Sequence, residues 1–141
     1  PTSGGSGDGS GRRASMRSGA WAGSDESEVL AKYGSDQAAI DRNRRIVGEL
    51  KALYGTSQVE GDVLPEWLPD SLVELLLEVH HVVPLSKGGA DERSNMIVLT
   101  PTLHALLHAC EDATIDLEAG VLSIPSRGIE RKISVKNRHN G

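Results

Sequence analysis

Residues 78–108 read Glu-Val-His-His-Val-Val-Pro-Leu-Ser-Lys-Gly-Gly-Ala-Asp-Glu-Arg-Ser-Asn-Met-Ile-Val-Leu-Thr-Pro-Thr-Leu-His-Ala-Leu-Leu-His, and this stretch decides the fold. Four of the five histidines lie in it, as the adjacent pair His80-His81 and the spaced pair His104 and His108. Leu77 to Val83 is apolar and rich in β-branched residues, which favours a strand. Pro84 ends that strand, and Gly88-Gly89 permits a tight turn. Asn95 opens a returning strand, Met96-Ile97-Val98-Leu99. Thr100 suits an N-cap with Pro101 at the first helical position, and no helix breaker follows through Cys110. The prediction is a ββα unit.

Chemistry follows from that arrangement. Residues four apart share a helix face, so His104 and His108 offer a two-imidazole grip on a divalent metal. A hairpin folded over the helix lets one of His80 and His81 complete a three-histidine site. Successive strand residues point to opposite sides, so the other histidine is free to act as a general base near neutral pH. A lone H-x-x-x-H pair arises often by chance. Two histidine pairs with a Gly-Gly turn and a strand-opening Asn between them form a far more specific pattern.

The stretch resembles the HNH endonuclease motif: an acidic residue two before His-His, then Pro, Gly-Gly, Asn and His-x-x-x-His. That resemblance implies a ββα-metal nuclease fold and hydrolysis of DNA phosphodiesters. It assigns His80, His104 and His108 as metal ligands and His81 as the base that activates water. Asn95 matches the family Asn, which either orients the base and its loop or ligates the metal. Glu78 matches an acidic residue expected to hold a ligand imidazole in its tautomer. One divalent ion is implied: Mg²⁺ or Mn²⁺ by the family's chemistry, Zn²⁺ or Ni²⁺ by the liking of those ions for imidazole.

The resemblance extends upstream, and there the chain departs from it. Residues 42–61 are similar to the Arg-Asn-Arg-x-Ile-x-x-x-Leu-Lys-x-Leu-Tyr-Gly stretch that precedes Cys-x-x-Cys-Gly in restriction-type members. In that branch a second Cys-x-x-Cys joins the first in binding a structural zinc. Here the four positions hold Ser57, Glu60, Thr100 and Leu103. Leu cannot ligate zinc, and Ser and Thr ligate it poorly, so no structural zinc is expected. Val63, Leu64, Trp67, Leu68 and Leu72 are the candidates to fill the vacated space.

Along the rest of the chain, residues 1–24 are Gly/Ser-rich and are expected to be a flexible linker or tail, with the nuclease domain over 25–141 and its ββα core at about 77–112. Asp25 to Tyr33 suits a short helix, broken at Gly34 and followed by a Ser35 cap. Asp36 to Tyr54 is amphipathic, with Ile40, Ile46, Val47, Leu50 and Leu53 at helical spacing and Gly55 at the C-terminal cap. Residues 65–76 read ambiguously, as turns, helix or strand. Thr114–Leu117 and Val121–Ile124 read as a C-terminal β-hairpin, with Ile129 to Val135 as a third strand. The tail from Lys136 is polar, and His139 in it is expected to be exposed and no ligand. The fold class is α+β.

Composition sets the limits. The 141 residues suffice for one modest core, which must be aliphatic because there is no Phe and only two Trp and two Tyr. One cysteine, Cys110, excludes an internal disulfide and reads as a small core residue. Net charge is −5, unusual for a protein that meets phosphate, but five Lys/Arg face one Glu from Arg127 onward. Arg127, Arg131, Lys132 and Lys136 are therefore the candidate DNA contacts. No signal peptide and no long apolar run is apparent, so a cytoplasmic protein without a membrane span is expected. The chain begins with Pro and a linker-like segment, as expected of the cleavage domain of a restriction-type enzyme, modification-dependent ones included. A separate domain of the same polypeptide would then read the DNA. Two other readings stand beside this one: a catalytically silent HNH-fold binding module, against which the complete histidine set argues, and a nuclease toxin domain, against which the acidic balance argues.

Overall fold

Strand β1 (Glu78–His81) and strand β2 (Met96–Leu99) pair antiparallel, with Glu78 opposite Leu99, Val79 opposite Val98, His80 opposite Ile97 and His81 opposite Met96. Cross-strand partners share a face. Ile97 and Leu99 point with Glu78 and His80 to one side, and Val79, Met96 and Val98 point with His81 to the other. The computed structural model describes residues 24–140. The linker expected over 1–24 lies outside them except for Ser24, which opens the first helix.

Each face of the hairpin builds its own core. On the first, Ile97 and Leu99 pack with Val59, Leu107, Cys110, Leu122, Ile124 and Ile133. Leu107 comes from helix α4 (Pro101–Ala109), capped by the Thr100 side chain and begun by Pro101 as the sequence predicts. Leu122 and Ile124 come from a three-stranded antiparallel sheet, β3 (Thr114–Asp116), β4 (Val121–Ile124) and β5 (Ile129–Lys132), in that order. The expected hairpin is thus a meander, and its third strand stops at Lys132 rather than at Val135. On the second face, Val79, Met96 and Val98 meet Ile46, Leu50 and Tyr54 of helix α2 (Gln37–Tyr54). Leu50, Met96, Ile97, Val98, Leu99 and Leu122 are fully buried. Removing such a side chain to Ala typically costs about 2–5 kcal/mol. The ββα core with its preceding amphipathic helix is present, and the α+β class is confirmed.

The remaining elements are helix α1 (Ser24–Tyr33) and helix α3 (Asp70–Leu76), which resolves the ambiguous stretch before the first strand. Asp36, not Ser35, caps α2: its Oδ1 accepts from the Ala39 N–H at 3.1 Å. Gly55 ends α2 in the left-handed conformation, as expected. Among the described residues no helix is long and apolar enough to cross a membrane.

Two further expectations fail. Val63 (74 % exposed) and Trp67 (80 % exposed) do not fill the region of the absent cysteines, and Leu72 is also exposed. Leu64 alone of the five packs against the α2-side core. The space is held by polar groups: the Asp62 carboxylate accepts from Ser57 Oγ at 2.5 Å, Thr100 Oγ1 at 2.5 Å and Thr100 N at 3.0 Å. Gln58 adds a second stitch, exchanging bonds with Val98 through its backbone and side chain and reaching the Ser134 carbonyl. The polar tail is not a free tail either. His139 is buried, with Nδ1 2.7 Å from Tyr54 Oη and Nε2 2.8 Å from the Arg93 carbonyl. Hydrophobic patterning could not reveal it, because hydrogen bonds rather than apolar contacts draw that ring inward.

Candidate active site

Strand parity and helix periodicity place the histidines. Glu78 and His80 emerge on the face that α4 covers, where His104 and His108 lie one turn apart. The rings of His80, His104 and His108 have centroids 4.9–5.1 Å apart. Glu78 Oε1 sits 2.7 Å from His104 Nδ1, which fixes that ring with Nε2 toward the cluster. His104 Nε2 and His108 Nε2 are 3.2 Å apart.

A residue that the sequence reading missed enters from α1. Asp25 Oδ2 lies 3.2 Å from His104 Nε2 and 3.4 Å from His80 Nδ1, and Oδ1 lies 3.1 Å from His108 Nε2. Asp25 Oδ2 also accepts from the His81 backbone N–H at 2.9 Å. Local pattern does not mark Asp25, an ordinary acidic residue in a helical first turn and 56 residues before His81. Ligand atoms of Asp25, His80, His104 and His108 all fall within 4.8 Å of one another. Converging imidazole nitrogens and an anionic carboxylate form a donor set that suits a divalent cation. His80 Nδ1 is buried without a hydrogen-bond partner, a polar atom that such an ion would satisfy.

Electrostatics match the geometry. Burial acts to raise the Asp25 pKa, yet hydrogen bonds with His104 and His108 and the nearby charge of His80 hold its carboxyl well below the usual carboxylate range. Burial acts to lower the His104 pKa, but Asp25 and Glu78 push the imidazole up to about 9. His80 moves the other way, because its burial outweighs the attraction of Asp25.

His81 faces the α2 side and is 2 % exposed. Its Nε2 lies 3.0 Å from Asp91 Oδ1, and its Nδ1 lies 3.8 Å from Asp25 Oδ2. Asp91 is the second residue missed; its Gly-Gly-Ala-Asp context reads as a turn. Its Oδ1 also accepts from Asn43 Nδ2 at 2.7 Å, and its Oδ2 from Tyr33 Oη at 2.8 Å. Burial would raise the Asp91 pKa, and the hydrogen bonds from His81, Tyr33 and Asn43 lower it on balance. Burial and Asp91 together push the Tyr33 phenol up to about 12.

Asn95 is not one of the residues gathered in this cluster. Its Oδ1 accepts from Val83 N at 2.8 Å, and its Nδ2 donates to the Val83 and Ala90 carbonyls at 2.9 and 2.8 Å. It closes the loop from Val83 to Ala90. Gly89 fits inside that closure, where an added Cβ would stand 1.8 Å from Val83 O. The basic residues Arg127, Arg131, Lys132 and Lys136 are exposed along the C-terminal sheet and tail. Lys136 is already engaged, with Nζ 2.8 Å from the Leu53 carbonyl and 5.4 Å from the Tyr54 ring centroid.

Comparison with known proteins reaches the same stretch of sequence. The model of the HNH endonuclease family matches residues 69–108. Residues 69–108 are an HNH endonuclease-family domain. A stretch of 37 residues is 54 % identical to the type IV methyl-directed restriction enzyme EcoKMcrA of Escherichia coli K12, covering 26 % of this chain and 13 % of that protein. An uncharacterised 38.5 kDa protein in psbA intron 1 of Chlamydomonas moewusii is 32 % identical over 68 residues, 48 % of this chain and 20 % of its own length. The probable mobile endonuclease B of phage T4 is 40 % identical over 38 residues, 27 % of this chain and 14 % of its own. The chain thus spans a fifth or less of each of these relatives. No solved structure matches.

Proposed function

We propose that the HNH domain is a metal-dependent endonuclease that hydrolyses DNA phosphodiesters. The observation that carries this reading is the meeting of two kinds of imidazole at one point. His80 and His104 bring metal-donor nitrogens to within 3.4 Å of Asp25 Oδ2, and His81 Nδ1 lies 3.8 Å from the same oxygen. A scissile phosphate must reach a metal and a base together, and this is a place where both are in range. His80, His104 and His108 would hold the ion, with Glu78 fixing the His104 ring. A divalent ion there supplies Lewis-acid stabilisation of charge on the phosphate and the leaving oxygen. His81 Nδ1 takes a proton from water, whose oxygen attacks phosphorus in line with the leaving oxygen.

Asp25 occupies the anion position that the substrate needs. We read it as a carboxylate side chain that yields to phosphate when DNA binds. The same contact favours a second reading, in which Asp25 permanently closes a four-donor structural site and the domain is silent. Asp25→Ala separates the two. Phosphate replacement predicts cleavage at least equal to the parent at saturating metal. A closed structural site predicts weaker metal binding with no cleavage in either protein.

The role of cleavage domain in a restriction-type, methyl-directed system is supported by the likeness to EcoKMcrA over 37 residues. DNA recognition would then fall to another domain of the same polypeptide, with Arg127, Arg131, Lys132 and Lys136 adding phosphate contacts. The test is conversion of supercoiled plasmid, methylated and unmethylated, after EDTA stripping and readdition of Mg²⁺, Mn²⁺, Ni²⁺ or Zn²⁺. Metal-dependent nicking or linearisation is expected; equal cleavage with and without metal would contradict the proposal.

A further inference from the structure

Asp91 has no place in the chemistry described so far, yet it is buried and every polar contact of its carboxylate is with a hydrogen-bond donor or with His81. Tyr33 Oη and Asn43 Nδ2 hold it as an acceptor, so its contact with His81 Nε2 must be filled by the imidazole N–H. The other ring nitrogen, His81 Nδ1, is buried with no hydrogen-bond partner. A proton on Nδ1 would have no acceptor at hydrogen-bond distance, whereas a proton on Nε2 has a carboxylate at 3.0 Å. The tautomer is thereby set, and the Nδ1 lone pair is left on the side of the metal donors.

We propose that Asp91 is the positioning residue for the base, taking the His81 Nε2–H so that Nδ1 presents its lone pair toward the site of attack. The proposal rests on the reading of His81 as the base. It also gives Asn95 a concrete task. Asn95 Nδ2 holds the Ala90 carbonyl at 2.8 Å and Arg42 Nη1 holds the Asp91 carbonyl at 2.9 Å, so the loop closed by Asn95 delivers Asp91 to the imidazole. Asn95 therefore acts on the base through Asp91. Tyr33 sits on α1, the helix that also carries Asp25, so the same helix touches both the metal donors and the residue that orients the base.

The test has two independent readouts. Long-range ¹H–¹⁵N correlation spectra of the full chain, with Zn²⁺ bound, report the tautomer of the His81 ring. The parent should show a protonated Nε2 and a bare Nδ1, and Asp91→Ala should show a mixture of tautomers. An unchanged tautomer in Asp91→Ala would overturn the proposal, whether or not the protein cleaves DNA. A nuclease assay adds the second readout, with Asp91→Asn as the variant that keeps shape and loses charge. Its kcat on plasmid should fall by at least ~10-fold, within the span that positioned proton transfer commands. KM and the calorimetric Zn²⁺ affinity should stay within about threefold. A kcat equal to the parent's, or kcat and Zn²⁺ affinity falling together, would mean that Asp91 merely supports the fold. If the parent itself does not cleave, the nuclease reading fails, and the tautomer comparison still decides what Asp91 does to His81.

Discussion

Two carboxylates organise two polar nodes in this domain, and they differ in what they meet. Asp62 accepts from two hydroxyls and a backbone N–H, all of which can donate. Asp25 faces the ring nitrogens of His80, His104 and His108, and buried nitrogens of His80 and His81 are left without hydrogen-bond partners. The first node is closed on itself and holds the chain together. The second is incomplete by hydrogen bonding alone, and a bound cation together with a substrate would complete it. Unsatisfied buried polar atoms are rare in folded proteins, and where they gather they point to function more than to stability. The first node also falls where the resemblance to restriction-type sequences places cysteines. Ser57 and Thr100 stand at two of those positions, and Asp62 links them by hydrogen bonds where a zinc ion would join thiolates.

Mutations that hit one node and spare the other test this division. The largest expected effect is His104→Ala, which removes a proposed metal donor and should weaken Zn²⁺ binding by more than ~100-fold in calorimetry. Its urea midpoint in EDTA should fall as well, because Glu78 and buried Asp25 lose a partner; parent-like metal binding would remove His104 from the site. Next comes Asp62→Ala. It strands the buried Thr100 N–H and deletes two hydroxyl bonds, so urea denaturation should show a loss of about 2–4 kcal/mol with metal affinity unchanged. A loss under about 0.5 kcal/mol would mean that apolar packing, not the Asp62 node, holds this region. The smallest effect belongs to Tyr54→Phe. It removes the contacts of the hydroxyl with His139 and the Lys136 N–H and should cost about 1–2 kcal/mol, with hydrogen exchange faster from Lys136 onward. Unchanged exchange there would show that the C-terminal turn is held by other contacts.

The ββα core was legible because its signals are local. β-Branched runs, a Thr-Pro helix start and an i,i+4 histidine pair each lie within a few residues, and the structure realises all three. The Ser35 cap failed by one residue because Asp36 is an equally good acceptor one position closer to the helix. Asp25, Asp62 and Asp91 escaped for a common reason. Each is a carboxylate whose partners lie far away in sequence or across a turn, and acidic residues on helices and loops are usually solvated. His139 escaped likewise, since nothing in a polar tail announces that Tyr54 and Arg93 will draw one ring inside.

The measurement that bears most directly on the account is single-turnover cleavage of supercoiled plasmid by the parent and by His81→Ala, both saturated with the metal that best supports activity. Calorimetry on the same samples checks that metal affinity is unchanged. A metal site with a separate base predicts a rate lower by ~10²–10⁴-fold in the variant at unchanged metal affinity. Cleavage by His81→Ala at the parental rate would contradict it, and the buried imidazole beside Asp91 would then be a structural residue.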